Sequence, residues 1–284
     1  MSCTTLISPT DLADHLADPE WIVFDCRHQL QDPAYGHRVY AASHIPGARF
    51  ADTKTNLAGP IRPDTGRHPL PGTDGFAAWL GQQGVGTGTQ VVAYDEQSGA
   101  FAARLWWMLR YLGHEPAAVL DGGLARWTRE GRPVSSDLPH PAPARFSPRP
   151  DARRVASLEE VAALSKARKG VLVDARGGER YRGEQEPIDA RAGHIPGAIS
   201  LPFAGNLAPE GTFLPPERLR ERFAGALGAD PAGSIHYCGS GVTACHNILA
   251  MAIAGLAPGR LFVGSWSLWS KDPSRPAALG PERG

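Results

Sequence analysis

The sequence repeats itself at long range, and this repetition limits the possible fold more than any other feature. An apolar run ending in Asp-x-Arg occurs as Ile22–Arg27 and again as Val171–Arg176, and a His-Ile-Pro-Gly-Ala motif follows each copy. A further apolar run ends at Asp95 in the first half and at Cys238 in the second. Matched positions, taken in order, lie 142 to 150 residues apart. They predict two copies of one fold.

Each half alternates short β-branched runs with amphipathic segments of helical period, such as residues 73–83 and 157–167. This alternation predicts the α/β fold class, with two tandem domains that are each a mostly parallel sheet with helices on both faces. A proline-rich stretch at residues 133–150 is typical of a stiff linker. We therefore predict one domain over residues 1–140 and a second over residues 151–284, with the linker at 133–150.

Charge and composition exclude several functional classes. The 284 residues include 29 basic and 29 acidic side chains and no run of lysine and arginine, so we expect neither nucleic acid nor an anionic membrane surface as a partner. No apolar run reaches the roughly 20 residues that span a bilayer. The N-terminal segment lacks the pattern of a targeting peptide. These features predict a cytoplasmic protein.

The cysteines are few, and free thiols are expected in a cytoplasmic chain of this length. They are Cys3, Cys26, Cys238 and Cys245. Their spacing does not match a zinc site, so we predict no metal and no cofactor. Cys26 and Cys245 have the apolar neighbours of buried residues. His44 and His194 recur in both halves although the halves differ in their chemistry, which predicts structural roles for both.

The two halves differ most at the end of the second apolar run. Cys238 precedes a Gly-Ser-Gly-Val-Thr turn and a helical segment, and a thiol at the end of a parallel strand lies where α/β proteins place ligands. Gly239 and Gly241 allow the N–H groups up to Thr243 to point inward as an anion-binding nest, and the helix N-terminus adds positive charge. Both effects favour a thiolate and a persulfide anion. Asp95 would repel both, which predicts a silent first half.

The order of these motifs resembles that of the tandem rhodanese-domain sulfurtransferases over essentially the whole chain. The motifs are Asp-x-Arg, His-Ile-Pro-Gly-Ala, Cys-Gly-Ser-Gly-Val-Thr-Ala-Cys and Gly-Ser-Trp-x-x-Trp. The Cys-Gly-Ser-Gly-Val-Thr loop is similar to that of the branch that uses 3-mercaptopyruvate. The mammalian branch that uses thiosulfate has basic residues directly after its cysteine. The resemblance implies a persulfide on Cys238.

The resemblance also implies the other residues of the site. Arg180 matches an arginine that pairs with the carboxylate of the donor, which suits a planar guanidinium. Ser240 and His68 match a serine and a histidine that are proposed to move protons. The predicted catalytic residues are Cys238, Ser240 and His68. The predicted substrate-binding residues are Arg180, Gly239, Gly241, Val242, Thr243 and Arg191.

Two departures from the family pattern concern these residues. The position of the family's second carboxylate-binding arginine falls near Ile188 here, and Arg191 or Arg182 is the predicted substitute. The aspartate expected before the histidine of the relay aligns near Lys54, and Asp52 is the nearest carboxylate. The Ser-His-Asp relay is therefore incomplete at the level of the sequence.

The expected activity is transfer of a sulfane sulfur from 3-mercaptopyruvate, through a Cys238 persulfide, to cyanide, thiols or thioredoxin. The alternative is a thiosulfate:cyanide sulfurtransferase with the same mechanism. Cysteine-dependent phosphatases need an arginine where Ala244 stands, and a non-catalytic binding module suits only the first half. The expected partners are a small anionic sulfur donor and a thiol acceptor or thioredoxin. The sequence leaves the oligomeric state open.

Overall fold

The computed structural model describes residues 2–228 and 230–284, which divide into two compact units. The N-terminal unit comprises residues 2–59, 70–151 and 209–213, and the C-terminal unit comprises residues 60–69, 152–208 and 214–284. The main boundary falls between residues 151 and 152, beside the predicted start of the second domain. Residues 60–69 and 209–213 each belong to the unit of the other half, which no local sequence pattern predicts.

The N-terminal unit contains a parallel five-stranded sheet of order β1-β5-β4-β2-β3. Its strands are β1 (Leu6–Ile7), β2 (Trp21–Asp25), β3 (Arg49–Phe50), β4 (Gln90–Tyr94) and β5 (Ala117–Leu120). Its helices are α1 (Pro9–Ala13), α2 (Tyr35–Ala42), α3 (Thr73–Gln82), α4 (Ala102–Tyr111) and α5 (Gly123–Arg129). The residues of β4 are all buried, and α4 packs against β4 and β5. A strand buried on both faces explains the continuous apolar run that ends before Asp95.

The C-terminal unit contains a parallel four-stranded sheet of order β7-β6-β8-β9. Its strands are β6 (Leu172–Asp174), β7 (Ala198–Ser200), β8 (Ile235–Tyr237) and β9 (Arg260–Leu261). Its helices are α6 (Leu158–Ala167), α7 (Gly178–Arg182), α8 (Pro216–Leu227), α9 (Thr243–Ile253) and α10 (Ser265–Trp269). Short 3₁₀ turns lie at Ala152–Arg154, Phe203–Asn206 and Pro231–Gly233. The parallel sheet predicted for each half is confirmed.

The Asp-x-Arg motifs make equivalent contacts in the two units. Arg27 pairs with Asp25 and donates to the carbonyl oxygen of Ser43. Arg176 pairs with Asp174 and donates to the carbonyl oxygen of Gly193 at 2.7 Å. Each arginine therefore ties the end of a strand to the start of a His-Ile-Pro-Gly turn. This buried ion pair explains why the motif occurs in both halves.

The histidines of the His-Ile-Pro-Gly turns are buried and structural, as predicted. Nδ1 of His44 lies 2.7 Å from the carbonyl oxygen of Tyr40, and Nδ1 of His194 lies 2.8 Å from that of Tyr181. Each imidazole also stacks on the ring of that tyrosine. Both histidines therefore fix the turn that follows them.

Helix α6 begins with a capping box formed by Ser157 and Glu160. The N–H of Glu160 donates to Oγ of Ser157, and the Glu160 carboxylate accepts from the N–H of Ser157 at 2.8 Å. In the preceding proline-rich stretch, residues 136–150 form neither helix nor strand. The N–H of Ala144 donates to the carbonyl oxygen of Gly81 at the end of α3, so this stretch packs on the N-terminal unit.

The tryptophans form part of the core of each unit. Trp106, Trp107 and Trp127 are buried in the N-terminal unit, and Trp266 and Trp269 are buried in the C-terminal unit. None of the helices within residues 2–228 and 230–284 is long and apolar enough to cross a bilayer.

Candidate active site

Cys238 lies at the carboxyl end of β8, between the strand and α9, and its side chain is buried. The N–H of Gly241 donates to Sγ of Cys238 at 3.1 Å. The N–H of Cys238 donates to Oγ of Ser265 at 3.2 Å, and its carbonyl oxygen accepts from the N–H of Trp266 at 2.9 Å. The backbone of Cys238 is therefore held by the first turn of α10, while its sulfur faces an N–H of its own loop.

Gly241 is required for this turn on two grounds. Its φ is +80°, which favours glycine, and a Cβ at this position would lie 2.7 Å from the carbonyl oxygen of Val263. The loop then enters α9, an eleven-residue helix that begins at Thr243. The partial positive charge of that helix N-terminus lies on the side of the thiol and favours an anion there.

The equivalent loop of the N-terminal unit is filled by its own carboxylate. Asp95 is buried, and its oxygens accept hydrogen bonds from the N–H groups of Gln97, Gly99, Phe101 and Ala102. Burial raises the pKa of Asp95, although these N–H groups act in the opposite direction. The loop thus has the convergent N–H groups of an anion-binding nest, like the loop of Cys238. The carboxylate of Asp95 fills this nest, so no external anion can bind there.

Ser240 and His68 form a hydrogen-bonded pair beside the loop. Oγ of Ser240 lies 2.8 Å from Nδ1 of His68, and both side chains are buried. His68 is on segment 60–69, which belongs to the C-terminal unit. Lys271 holds this segment by donating to the carbonyl oxygen of Thr65 at 2.7 Å. The structure therefore brings together these two predicted residues, and their role in proton transfer stays a prediction.

Asp52, the nearest carboxylate for a relay in the sequence, is engaged within its own loop. Its Oδ1 accepts from the N–H groups of Lys54 and Thr55 at 2.7 and 2.9 Å. Its Oδ2 lies 3.4 Å from Nε2 of His37. These contacts give Asp52 a structural role in the N-terminal unit.

Arg180 belongs to a group of paired charges that we call the arginine–carboxylate cluster. Its members are Arg67, Arg176, Arg180, Asp174, Glu186 and Asp189. Nη2 of Arg180 lies 2.7 Å from Oε1 of Glu186 and 3.0 Å from Oδ2 of Asp189. The other oxygen of Asp189 pairs with Nη1 of Arg67. Asp189 therefore bridges two guanidinium groups.

The two bridged arginines lie over the residue that follows the nucleophile. A Cβ placed on Gly239 would lie 2.9 Å from Nη2 of Arg67 and 3.3 Å from Nη1 of Arg180. Glycine therefore leaves room for both guanidinium groups. Burial lowers the pKa of Arg67, and the charge of Cys238 is the largest influence in the opposite direction. Two guanidinium groups thus lie beside the loop that carries Cys238.

Arg191, one of the two predicted substitutes for the second arginine, lies away from the cluster's carboxylates and contacts backbone carbonyl groups. Its Nε donates to the carbonyl oxygen of Ser270 at 3.1 Å, and its Nη2 donates to those of Asp272 and Arg275. These bonds fix the chain that follows α10. A substrate-binding role for Arg191 stays a prediction. Arg182, the other predicted substitute, pairs with Glu184.

The remaining cysteines are not part of the site, with one indirect exception. Cys26 and Cys245 are fully buried, as predicted, and burial raises the pKa of Cys26. Sγ of Cys245 donates to the carbonyl oxygen of Gly241 at 3.4 Å, so it supports the loop that carries Cys238. Within residues 2–228 and 230–284, no group of three or more His, Cys, Asp or Glu could hold a metal ion.

Several residues of the site were missed in the sequence analysis. Arg67, Glu186, Asp189 and Ser265 all contact the loop or its arginines. Arg67 directly precedes the predicted His68, and Glu186 and Asp189 flank the position of the missing arginine. The position of these residues next to predicted site positions was the only indication in the sequence. It does not show which ion pairs form.

The chain belongs to the rhodanese family. The family model described as "Rhodanese-like domain" matches residues 8–130 and 157–272, once in each half, so the predicted rhodanese-like fold class is confirmed. The relatives of known class that the chain resembles are sulfurtransferases, which is the class of enzyme expected.

Particular relatives extend this similarity over the whole chain. The chain is 47% identical over 287 residues to a Pseudomonas aeruginosa protein named "Probable 3-mercaptopyruvate sulfurtransferase", covering 99% of this chain and 100% of the relative. It is 38% identical over 238 residues to human 3-mercaptopyruvate sulfurtransferase, covering 82% of this chain and 78% of the relative. The crystal structure of SseA from Escherichia coli, reported for 3-mercaptopyruvate sulfotransferases, matches with a TM-score of 0.80 at 31% identity. That match covers 93% of this chain and all of the other.

Proposed function

We propose that this protein is a 3-mercaptopyruvate sulfurtransferase that carries sulfur as a persulfide on Cys238. The observation that carries the proposal is the position of Sγ at the end of β8. There it accepts the N–H of Gly241 at 3.1 Å, and two arginines lie over the next residue. The 3-mercaptopyruvate sulfurtransferases among its relatives support the choice of donor.

In the first half-reaction the Cys238 thiolate attacks the sulfur on C3 of 3-mercaptopyruvate. A sulfur–sulfur bond forms and the bond between sulfur and C3 breaks, with its electron pair passing to the enolate of pyruvate. The enolate takes up a proton at C3 and leaves as pyruvate. We assign delivery of that proton to Ser240 and His68, which are hydrogen-bonded at 2.8 Å. The persulfide left on Cys238 loses its proton and is held by the N–H groups of its loop.

In the second half-reaction a nucleophile attacks the outer sulfur of the persulfide. When cyanide is the nucleophile, the product is thiocyanate. When a thiol is the nucleophile, the product is the persulfide of that thiol. In reduced thioredoxin the second thiol then attacks this persulfide, which forms a disulfide and releases sulfide. The bond between the two sulfurs breaks towards Cys238, which returns as the thiolate. The cycle uses no metal ion and no organic cofactor. We further propose a cytoplasmic location, where thiols stay reduced, because the four cysteines are all unpaired.

Thiosulfate is the competing donor, and the absence of an arginine at Ile188 is the observation in its favour. Against it, the loop residues that follow Cys238 carry no charge, and a dianion would need more positive charge than a monocarboxylate. The arginine–carboxylate cluster adds no net positive charge for a dianion, since its three guanidinium groups are balanced by three carboxylates.

The test is a sulfur-transfer assay with 3-mercaptopyruvate and thiosulfate measured side by side. It is combined with mass spectrometry of the peptide that contains Cys238. We expect higher kcat/KM with 3-mercaptopyruvate and a mass gain of one sulfur atom on that peptide, both lost in Cys238→Ser. Cys3→Ser is the matched control and should behave as wild type. Transfer that survives in Cys238→Ser would contradict the nucleophile, and a preference for thiosulfate would contradict the donor.

A further inference from the structure

Two guanidinium groups lie together over Gly239, although the family's second arginine position is Ile188 here. Ile188 is 41% exposed, and Arg191 is held by backbone carbonyl groups. The second guanidinium is that of Arg67, on segment 60–69 of the same C-terminal unit. A Cβ placed on Gly239 would lie nearest to two nitrogen atoms, Nη2 of Arg67 and Nη1 of Arg180.

The buried carboxylates hold each guanidinium by one side only. Asp189 pairs with Nη1 of Arg67 and Nη2 of Arg180, and Glu186 takes Nε and Nη2 of Arg180. Across residues 2–228 and 230–284, neither Nη2 of Arg67 nor Nη1 of Arg180 donates a hydrogen bond to another side chain or carbonyl group. The donors without such an acceptor are therefore those nearest the loop of Cys238.

Exposure divides the cluster in the same way. The side chains of Glu186 and Asp189 are 3% and 4% exposed, whereas those of Arg180 and Arg67 are 21% and 25% exposed. The negative groups lie underneath, and the positive groups reach the surface of the site. An anion that approaches Cys238 therefore meets the guanidinium groups first.

Arg67 is also fixed along its backbone. Its N–H donates to Oγ of Ser267 at 3.1 Å, and a Cβ on the preceding Gly66 would clash with the carbonyl oxygen of Gly264. This close approach places Arg67 beside α10, the helix that also holds the backbone of Cys238. The side chain therefore starts from a defined position and loses little entropy when it binds a ligand.

We propose that Arg67 supplies the second guanidinium that binds the carboxylate of the sulfur donor, in place of the arginine absent at Ile188. Asp189 is the positioning residue that aligns Arg67 with Arg180. Two guanidinium groups side by side match the two oxygens of a planar carboxylate. In 3-mercaptopyruvate this anchor leaves the carbonyl carbon and the C3 sulfur to extend towards Cys238. This assignment rests on the proposed function, since it requires a donor with a carboxylate.

The test compares donors with and without that carboxylate. Kinetic constants are measured for wild type, Arg67→Gln and Arg67→Lys with 3-mercaptopyruvate and with mercaptoacetone, which replaces the carboxylate by a methyl group. We expect Arg67→Gln to lower kcat/KM for 3-mercaptopyruvate by about 30-fold or more, mainly through KM, because a charged partner is removed. The kcat/KM of Arg67→Gln for mercaptoacetone should hardly differ from that of wild type. Arg67→Lys should recover part of the loss.

Arg62→Gln is the matched control, since Arg62 lies on the same segment, is exposed and pairs with the exposed Asp64. It should match wild type with both donors. An equal loss for both donors in Arg67→Gln would overturn the proposal, because Arg67 would then act on the Cys238 thiolate. No loss with either donor would overturn it as well. If Arg67→Gln does not fold, Arg67→Lys is compared with wild type instead, and a smaller loss confined to 3-mercaptopyruvate is expected, because lysine keeps the charge but not the two-pronged geometry. An Arg67→Lys variant without that selective loss would overturn the proposal.

The wild-type measurements separate this inference from the proposed function. A wild type that uses thiosulfate but not 3-mercaptopyruvate contradicts the proposed donor and removes the carboxylate that Arg67 would bind. A wild type that uses 3-mercaptopyruvate, with an Arg67→Gln variant that shows no selective loss, leaves the proposed function standing and overturns only the role of Arg67.

Discussion

Oγ of Ser240 lies 2.8 Å from Nδ1 of His68, although 172 positions separate the two residues in the sequence. Both side chains are buried, and the serine lies two residues after Cys238 in its loop. The hydroxyl group therefore contacts an imidazole ring and belongs to the loop that carries the sulfur nucleophile. This arrangement suits delivery of a proton to the departing enolate, a step that general acid catalysis accelerates.

We expect Ser240→Ala and His68→Ala each to lower kcat with 3-mercaptopyruvate by about 100-fold, the usual range for a lost proton donor. The double variant should lose little more than either single one, because the two residues act as one unit. Release of pyruvate in a single turnover is the measurement. His140→Ala, at an exposed histidine of the linker, is the control. Independent, multiplying losses would show that the pair does not share one step.

The left-handed conformation of Gly241 leads to a second prediction. Gly241→Ala should cost about 2 kcal/mol of unfolding free energy, because alanine is strained at a φ of +80° and its Cβ meets the carbonyl oxygen of Val263. The N–H directed at Sγ should move with it, so the yield of persulfide falls. Urea denaturation and mass spectrometry measure the two effects.

Gly225→Ala is the matched control, because Gly225 lies within α8 and a Cβ there meets nothing within 4 Å. It should raise stability by up to about 1 kcal/mol through helix propensity and leave persulfide formation unchanged. A Gly241→Ala variant as stable and active as wild type would contradict the account of the loop.

The charge balance of the arginine–carboxylate cluster predicts the donor preference of an Asp189 variant. Asp189→Asn removes one negative charge beside Arg67 and Arg180 without changing the shape of the side chain. We expect the ratio of kcat/KM for thiosulfate to that for 3-mercaptopyruvate to rise by about tenfold or more, since a dianion gains more than a monoanion from the added positive charge. Glu184→Gln, at an exposed carboxylate paired with Arg182, is the control. An unchanged ratio would mean that Asp189 does not influence donor choice.

The sequence allowed much of this site to be predicted, and the part it missed has a physical cause. The repeated motifs predicted the parallel sheets and the position of Cys238, because strand ends and glycine-rich turns are local patterns. The contact of Arg67 with the loop depends on segment 60–69 packing in the C-terminal unit, which no local pattern encodes. Arg191 lies three residues after Ile188, the position of the absent arginine. Its guanidinium nevertheless donates hydrogen bonds to three backbone carbonyl groups. Proximity in sequence thus does not decide which arginine faces a ligand.

Burial of His236 predicts a sensitivity to acid. Burial in β8 lowers the pKa of His236 from 6.5 to about 3, so the folded protein keeps this ring neutral. Between these two values the unfolded chain binds a proton that the folded chain does not. The free energy of unfolding therefore falls as the pH drops through this range, by up to about 1.4 kcal/mol per pH unit from this group. The effect of this group fades as the pH rises past 6.5 and is lost about one pH unit higher.

His236→Met should weaken this dependence. Urea denaturation at neutral pH and near pH 5 gives the loss of stability for each protein, with His140→Met as the exposed control. The loss should be smaller in His236→Met than in wild type and unchanged in His140→Met. Equal losses in all three proteins would show that His236 is already protonated in the folded state.

The nest occupied by Asp95 gives the last prediction. Asp95→Ala leaves the N–H groups of Gln97, Gly99, Phe101 and Ala102 without the carboxylate that accepts from them. We expect a loss of about 3 kcal/mol of unfolding free energy, because buried donors without a partner are costly. The emptied nest should then bind sulfate, since its N–H groups still converge, so added sulfate should raise the Tm of Asp95→Ala more than that of wild type. Glu20→Ala, at an exposed carboxylate of the same unit, controls for the general effect of sulfate. If sulfate raises the Tm of all three proteins equally, the loop closes when its carboxylate is removed and the nest depends on Asp95.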